Sequence, residues 1–381
     1  MRNSLIFSCL LFSFVAVANP NWADTTKSYT MPLLTLTPQG SVLLTWNEKN
    51  ANGLVEFCMA TSKDGGKSFS DKNVIFASNG LSGSRLMRPK VLVRADCSMV
   101  AVFVENTNPT GKRSLNIMFS TSKDGQTWSL PQSVDTDPMQ GIVRGFYDAA
   151  LLPNGEVAVA YLKDVAGSTK HEERDLRMAI TKNGVFQPEK RLDPVVCDCC
   201  NISLLVDAKG TLNVYYRDNN DDIRDIAKMT STDNGLTFSQ PQILHEDQWK
   251  IIGCPHSGPF STTFGSENLI TWFAGGGTEK GLRLTNQAGK RLVLVSDVSA
   301  KNAYVTASDK NAVMLWEQNN ANNISQIAYQ KVVPNGTIQW LNSSENGTNV
   351  NALVVGNQLL VIHEVRNTNK RNGLKMSFVA L

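Results

Sequence analysis

Over almost its whole length the chain alternates between short apolar runs and turns rich in Gly, Asn and Asp. The repeating pattern is an apolar run, a Gly- or Asn-bearing turn and a second apolar run. It reads as LLTLTPQGSVLLTW, KVLVRADCSMVAVFV, AALLPNGEVAVAYL, SLLVDAKGTLNVYY, STTFGSENLITWF, YVTASDKNAVMLW and ALVVGNQLLVIHEV. Such runs, bounded by turn residues at regular intervals, predict β-hairpins, and no helical period competes with them. The second strands should end at Trp46, Val104, Tyr161, Tyr216, Trp272, Trp316 and His363, spaced 44 to 58 residues apart.

A unit of about 50 residues with about four strands predicts an all-β ring of four-stranded antiparallel blades, a β-propeller. The choice lies between six and seven blades, and the hairpin count favours seven. The last unit ends at KMSFVAL, a third strand without a fourth. The N-terminal segment SYTMPLL is expected to supply that outer strand and close the ring.

Between the hairpins lies a second repeat: TSKDGGKSF (61–69), TSKDGQTW (121–128) and TSTDNGLTF (230–238), with weaker echoes at 180–186, 284–290 and 331–340. Asp64, Asp124 and Asp233 suit a tight turn because their carboxylates can accept its backbone N–H groups. Gly65, Gly125 and Gly235 allow positive φ, and Phe69, Trp128 and Phe238 can pack into a blade. These turns resemble the Asp-box, or BNR repeat, of sialidase-type propellers. In that family the boxes lie away from the active site, so they are read as structural. The family has six blades, one fewer than the hairpins counted here.

Residues 1–18 have the form of a secretory signal: Arg2, the apolar run LIFSCLLFSFVAV and the small-residue site Ala16–Ala18. Residues 19–381 are then one exported domain, periplasmic or extracellular. Without Arg2 the chain has 36 basic and 34 acidic residues, a net +2, which gives no argument for nucleic acid or an anionic membrane as a partner. No later run approaches the roughly 18 apolar residues of a membrane span. Oligomeric state is not legible.

In a propeller the innermost strand of each unit begins at the face where its second strand ends. Ligands gather at such a mouth. The segments SRLMRPK, VRGFYDA, CDCCNIS, CPHSGPF and SAKNAYV precede first strands, and NEKN, EN, KD, RDNNDDIRD, AGGG and EQNN follow second strands. Arg88, Arg144, Arg217, Glu105, Tyr147, Asp148 and Asp218 are therefore expected around one funnel, a composition suited to an anionic ligand.

The resemblance to sialidases implies roles for them: arginines on a sugar carboxylate, a tyrosine nucleophile helped by a glutamate, and an aspartate acid/base. On that reading Arg88, Arg144 and Arg217 bind substrate with Arg224 in reserve. Tyr147 is the nucleophile, Glu105 its partner and Asp148 the acid/base. The ligand is a sialoglycan-like carbohydrate, either hydrolysed or only recognised, and no cofactor is required. MRPK at 87–90 keeps the Arg-Pro of the family's arginine stretch but lacks its aromatic and isoleucine, and it follows the first Asp-box instead of preceding it. Arg174 and Arg224, in repeated Arg-Asp pairs, read equally as inter-blade ion pairs, and Tyr147 as a core tyrosine. His171 and His245 are expected to be solvated. His363 and the recurring Trp46, Trp272 and Trp316 are expected to serve packing.

With Cys9 gone with the signal, six cysteines remain. CDCC opens the fourth unit and GCPH the fifth, so the two should be neighbours at the mouth. One reading is a disulfide from Cys197 or Cys200 to Cys254, with Cys58–Cys97 as a second, or a vicinal Cys199–Cys200 bridge. The other is a copper or zinc site built from Cys197, Cys199, Cys200, Cys254 and His256. A non-catalytic glycan- or protein-binding propeller, or a thiol-handling protein, would use the same mouth.

Overall fold

The computed structural model describes residues 24–108, 114–137, 142–165, 167, 174–332, 338–344, 346–366 and 371–381. The predicted signal segment and His171 lie outside them. Among the described residues seven antiparallel sheets follow one another, at 28–78, 90–133, 144–196, 203–243, 260–295, 301–344 and 347–380. The count is seven, and strands pair in chain order from the innermost outward, except that in the third sheet Lys190–Val196 pairs with Arg174–Lys182 past the two-residue strand Val185–Phe186. The only helical element described is a 3₁₀ turn, Arg85–Met87, between blades 1 and 2.

The predicted strand ends all fall inside the second strands: Val42–Lys49, Met99–Asn106, Val157–Asp164, Leu212–Arg217, Glu267–Ala274, Ala312–Asn319 and Gln358–Arg366. These strands read as apolar runs because the blades before and after cover both of their faces. Trp46, Trp272, Trp316 and His363 are all buried to within 1 % exposure, as packing residues should be. His245 departs from expectation: its Nδ1 lies 3.0 Å from Asp247 Oδ1, in a group that also holds Arg283.

The Asp-box turns form as their residue types dictate. Asp233 Oδ1 accepts from Thr237 N at 2.9 Å and from Ser231 Oγ at 2.7 Å, while Gly235 N donates to Ser231 Oγ at 2.8 Å. Asp64 and Asp124 repeat the pattern. The aromatic that ends each box packs against the blade before it. Trp128 Nε1 donates to Asn73 Oδ1 of blade 1 at 3.2 Å, Phe238 joins a core shared with blade 3, and Phe69 joins one shared with blade 7. The box is therefore mortar between blades.

Closure differs from expectation. SYTMPLL lies in Ser28–Leu36, the innermost strand of blade 1, paired with Val42–Lys49. Blade 7 has three strands among the described residues. The ring closes by packing: Tyr29, Leu34, Trp46, Leu360 and Ile362 form one core. Side chains stitch the same seam, with Met31 N donating to Glu364 Oε1 at 2.9 Å and Leu34 N to Asn351 Oδ1 at 2.7 Å.

Candidate functional site

The innermost strands surround a central cavity of about 290 Å³, lined by residues of blades 1 to 6. Its inner wall is apolar, with Leu33, Val91, Leu92, Ile202 and Leu204. Arg85, Arg88, Lys90, Tyr147, Asp148 and Tyr304 supply polar groups.

Four of the innermost strands share a device at their starts. Met31, Phe146, Asn302 and Asn349 have φ between 49° and 59°, read as 59°, 51°, 55° and 55° in that order. Pairing slips beside each of them, at Thr30/Leu33, Ala160/Leu162, Lys301/Tyr304 and Thr348/Asn351. Each is a β-bulge, which bends a strand and re-aims the neighbouring side chains.

Arg88 is held by one of these bulges. Its Nη2 donates to Asn349 Oδ1 at 2.6 Å. Asn349 in turn donates from Nδ2 to Glu364 and from its backbone N to Glu317 Oε1, the latter at 2.7 Å. Nε of Arg88 is buried and has no protein acceptor. Burial pushes the guanidinium pKa of both Arg88 and Arg85 down. Arginine nonetheless stays charged in proteins, so the cavity holds two cations whose desolvation is only partly offset.

Asp148 faces them already engaged. Oδ1 accepts from Lys90 Nζ, and Oδ2 accepts from Leu204 N at 2.8 Å. Tyr147 is 5 % exposed, and its hydroxyl donates to backbone, with Val102 O at 2.6 Å and Arg88 O at 2.9 Å. Burial, then the nearby Asp148 charge, push its pKa well up, so the phenol is held neutral.

Arg88, Tyr147 and Asp148 thus share the cavity, and the other expected residues lie elsewhere. Glu105 accepts from Ser78 Oγ beside the link that follows blade 1. Arg144, 1 % exposed, is bound between blades 2 and 3 by Asp135 and Asn116, in a cluster that includes Lys163, Asp137 and Glu189. Arg217 is also 1 % exposed; it donates to Ser257 O at 2.8 and 2.6 Å and to Phe273 O at 2.8 Å, and it lies over the Trp249 ring. Arg224 is fully buried, 3.5 Å from Asp222 Oδ1, and Asp218 is capped by Asn219 N and Asn220. Arg174 pairs with Asp164 at 2.8 Å, but across neighbouring strands of one blade, so this ion pair is not the inter-blade one expected.

The cysteines are placed next to one another as the repeat implies, but not bridged. All six among the described residues are free thiols. Cys58 is buried in the core between blades 1 and 7 while Cys97 is exposed on a turn, which is why no Cys58–Cys97 disulfide forms. Cys254 is exposed and its thiol donates to Asp198 Oδ1 at 3.4 Å, so the Cys254 bridge is not made either. Cys197 Sγ lies 3.3 Å from Cys200 Sγ and 3.9 Å from Cys199 Sγ, all three buried, with Phe146 packed against them. The neighbouring Cys199 and Cys200 thiols, aided by the Arg217 charge, hold the Cys197 thiol far down, while Cys199 and Cys200 are pushed up. His256 is exposed, with Nδ1 2.9 Å from Cys254 O.

Residues 74–252, which include the Asp124 and Asp233 boxes, match the BNR repeat-like domain family. Over those residues the chain is similar to that family, and the whole folds as a β-propeller. Its fold is similar to that of a protein of unknown function from Dyadobacter fermentans, at 14 % identity over 84 % of this chain and 96 % of that one, with a TM-score of 0.54. It is also similar to a polysaccharide lyase of family PL25, an ulvan lyase bound to -[GlcA(1-4)Rha3S]-, at 10 % identity over 93 % and 94 % of the two chains and a TM-score of 0.57. A Hadza microbial sialidase aligns at 14 % identity and a TM-score of 0.50; 76 % of this propeller is covered, spanning 63 % of that enzyme. No curated protein matches the sequence. No helix among the described residues is long and apolar enough to cross a membrane.

Sequence reasoning missed Arg85, Lys90, Tyr304 and Asn349 as parts of this propeller's channel. Arg85 and Lys90 stand in SRLMRPK and Tyr304 in SAKNAYV, both segments that precede first strands, so position alone could have found them. Asn349 had no signal, because its role depends on a bulge.

Proposed function

We propose that the propeller recognises a single acidic sugar residue at the Arg85–Arg88 end of its channel. The observation that carries this reading is charge. Arg85, Arg88 and Lys90 line the cavity against one carboxylate, Asp148, which Lys90 already neutralises. Arg88 Nη2 is held by Asn349 and Arg85 Nη2 donates to His256 O at 3.3 Å, so the remaining guanidinium N–H groups, Arg88 Nε among them, would meet a ligand carboxylate, which planar guanidinium suits. A volume near 290 Å³ is at the small end of ligand sites, suited to one ring. The ulvan lyase of similar fold is bound to a saccharide that contains GlcA, itself an acidic sugar.

Recognition is favoured over hydrolysis. The Tyr147 hydroxyl is spent on backbone carbonyls and its pKa is raised, whereas a nucleophile needs a neighbouring base. Glu105, the expected base, is engaged by Ser78 outside the cavity.

Calorimetric titration with N-acetylneuraminic acid, glucuronic acid and neutral galactose tests the reading. An acidic sugar should bind and galactose should not, and Arg88→Ala should weaken binding by at least about tenfold, roughly 1.4 kcal/mol. Equal binding of galactose, or unchanged affinity in Arg88→Ala, overturns it. Product release from a fluorogenic sialoside that Tyr147→Phe abolishes would restore the hydrolase reading.

A further inference from the structure

The CDCC thiols are used neither by the channel nor by a disulfide, and their arrangement has a chemistry of its own. Residues 198 and 199 form a tight turn that brings Cys197 and Cys200 to one side, and Cys197 N is tied to Arg217 O at 3.1 Å. The sulfurs of Cys197, Cys199 and Cys200 all lie within 4.8 Å of one another, with two spacings of 3.3 and 3.9 Å. Thiolates about 2.3 Å from a shared metal stand about 3.8 Å apart at tetrahedral angles and about 4.0 Å apart in a trigonal plane. The Cys197–Cys199 spacing already matches, and the Cys197–Cys200 pair would have to open by about half an ångström.

The surroundings fit a bound cation with excess thiolate charge. The guanidinium of Arg217 acts electrostatically on Cys197, and Arg174, which lies over the Phe146 ring, donates to Asp198 O. Phe146 itself packs against the sulfurs. Four-coordinate zinc would need a fourth donor. The next thiol, Cys254, instead joins Cys199 and Asp198 in a second group on the solvent side. His256 stands outside both groups. Three soft thiolates under an apolar cover suit a soft monovalent ion.

We propose that Cys197, Cys199 and Cys200 form a three-thiolate site for Cu(I), with Cys254 as the exposed thiol through which the ion enters and leaves. Loading displaces thiol protons to solvent and changes no oxidation state. The site adjoins the sugar-binding end of the channel, where Arg85 donates to His256 O at 3.3 Å, but it shares no ligand residue with that end and stands whether or not that reading holds.

The test is anaerobic titration of the full chain with Cu(I) against the chelator bicinchoninate, followed by X-ray absorption of the loaded protein. One Cu(I) per chain with three sulfur neighbours at about 2.3 Å is expected. Cys197→Ser and Cys200→Ser should each weaken binding by at least about 100-fold. Cys97→Ser should leave affinity unchanged, and Cys254→Ser should slow transfer to the chelator. Zn(II) in excess should fail to displace the copper. The proposal is overturned by nitrogen or oxygen neighbours in place of sulfur, by displacement with Zn(II), or by CDCC thiols that resist labelling because they are oxidised. The absorption measurement uses the unmodified protein, so it decides the matter even if a serine variant does not fold.

Discussion

Asp233 and its two counterparts hold their charge for structural reasons. Hydrogen bonds from Thr237 and Ser231 pull the Asp233 carboxyl from 3.8 to about 2, and Asp64 and Asp124 are lowered in the same way. A carboxyl with a depressed folded pKa stabilises the fold fully above its unfolded value, and that contribution drains away as pH falls through the folded one. Urea denaturation of Asp233→Asn should show a deficit against the unmodified protein that is constant above pH 5 and closes between about pH 4 and 2. A deficit independent of pH would mean that the carboxylate's charge does not matter. At this scale the sequence was legible where a side chain serves its own turn. It was less legible for Arg144, Arg217 and Arg224, because a buried guanidinium takes whichever carboxylates or carbonyls the neighbouring blade presents. Arg88 lines the cavity because it stands two residues before an innermost strand.

Among the turns, two glycines separate backbone strain from packing. Gly155 and Gly235 have almost the same φ, +82° and +81°. A Cβ on Gly155 would meet nothing within 4 Å, whereas one on Gly235 would lie 2.1 Å from Ile180 Cδ1 of the blade before. Gly155→Ala should therefore cost about 1 kcal/mol, for the left-handed backbone alone. Gly235→Ala should cost about 1 kcal/mol more, because the Ile180 Cδ1 end must swing out of its packed position against the box. Equal melting temperatures for the two variants would contradict the close fit of the Asp-box against the preceding blade. The hairpins were readable from apolar runs and turn residues. The bulges at Met31, Phe146, Asn302 and Asn349 were not, since three different residue types adopt one backbone shape there and no periodicity marks it.

For the molecule as a whole, the interfaces between blades combine apolar packing with buried ion clusters. Arg144→Ala would leave Asp135 with Lys163, 3.1 Å away, as its charged partner. Breaking a buried pair costs 3–5 kcal/mol, and the surviving lysine puts this case near the low end, about 3 kcal/mol. Chemical denaturation should show that loss while affinity for an acidic sugar stays as it was. A fall in affinity with no loss of stability would return Arg144 to the ligand site. Blade number was legible at this scale because each blade repeats one pattern, so a single misread strand does not alter the count. Closure was not, because KMSFVAL ends without a fourth strand and the pattern cannot say whether another segment completes the blade.

The packed seam also fixes an order of events during synthesis. The backbone amides of Met31 and Leu34 find their acceptors on Glu364 and Asn351, more than 300 residues later in the chain. The inner strand of blade 1 pairs with its own second strand early, but these two amides wait for the last blade. Until residues 351 and 364 have been made, neither amide has the acceptor it uses in the finished ring.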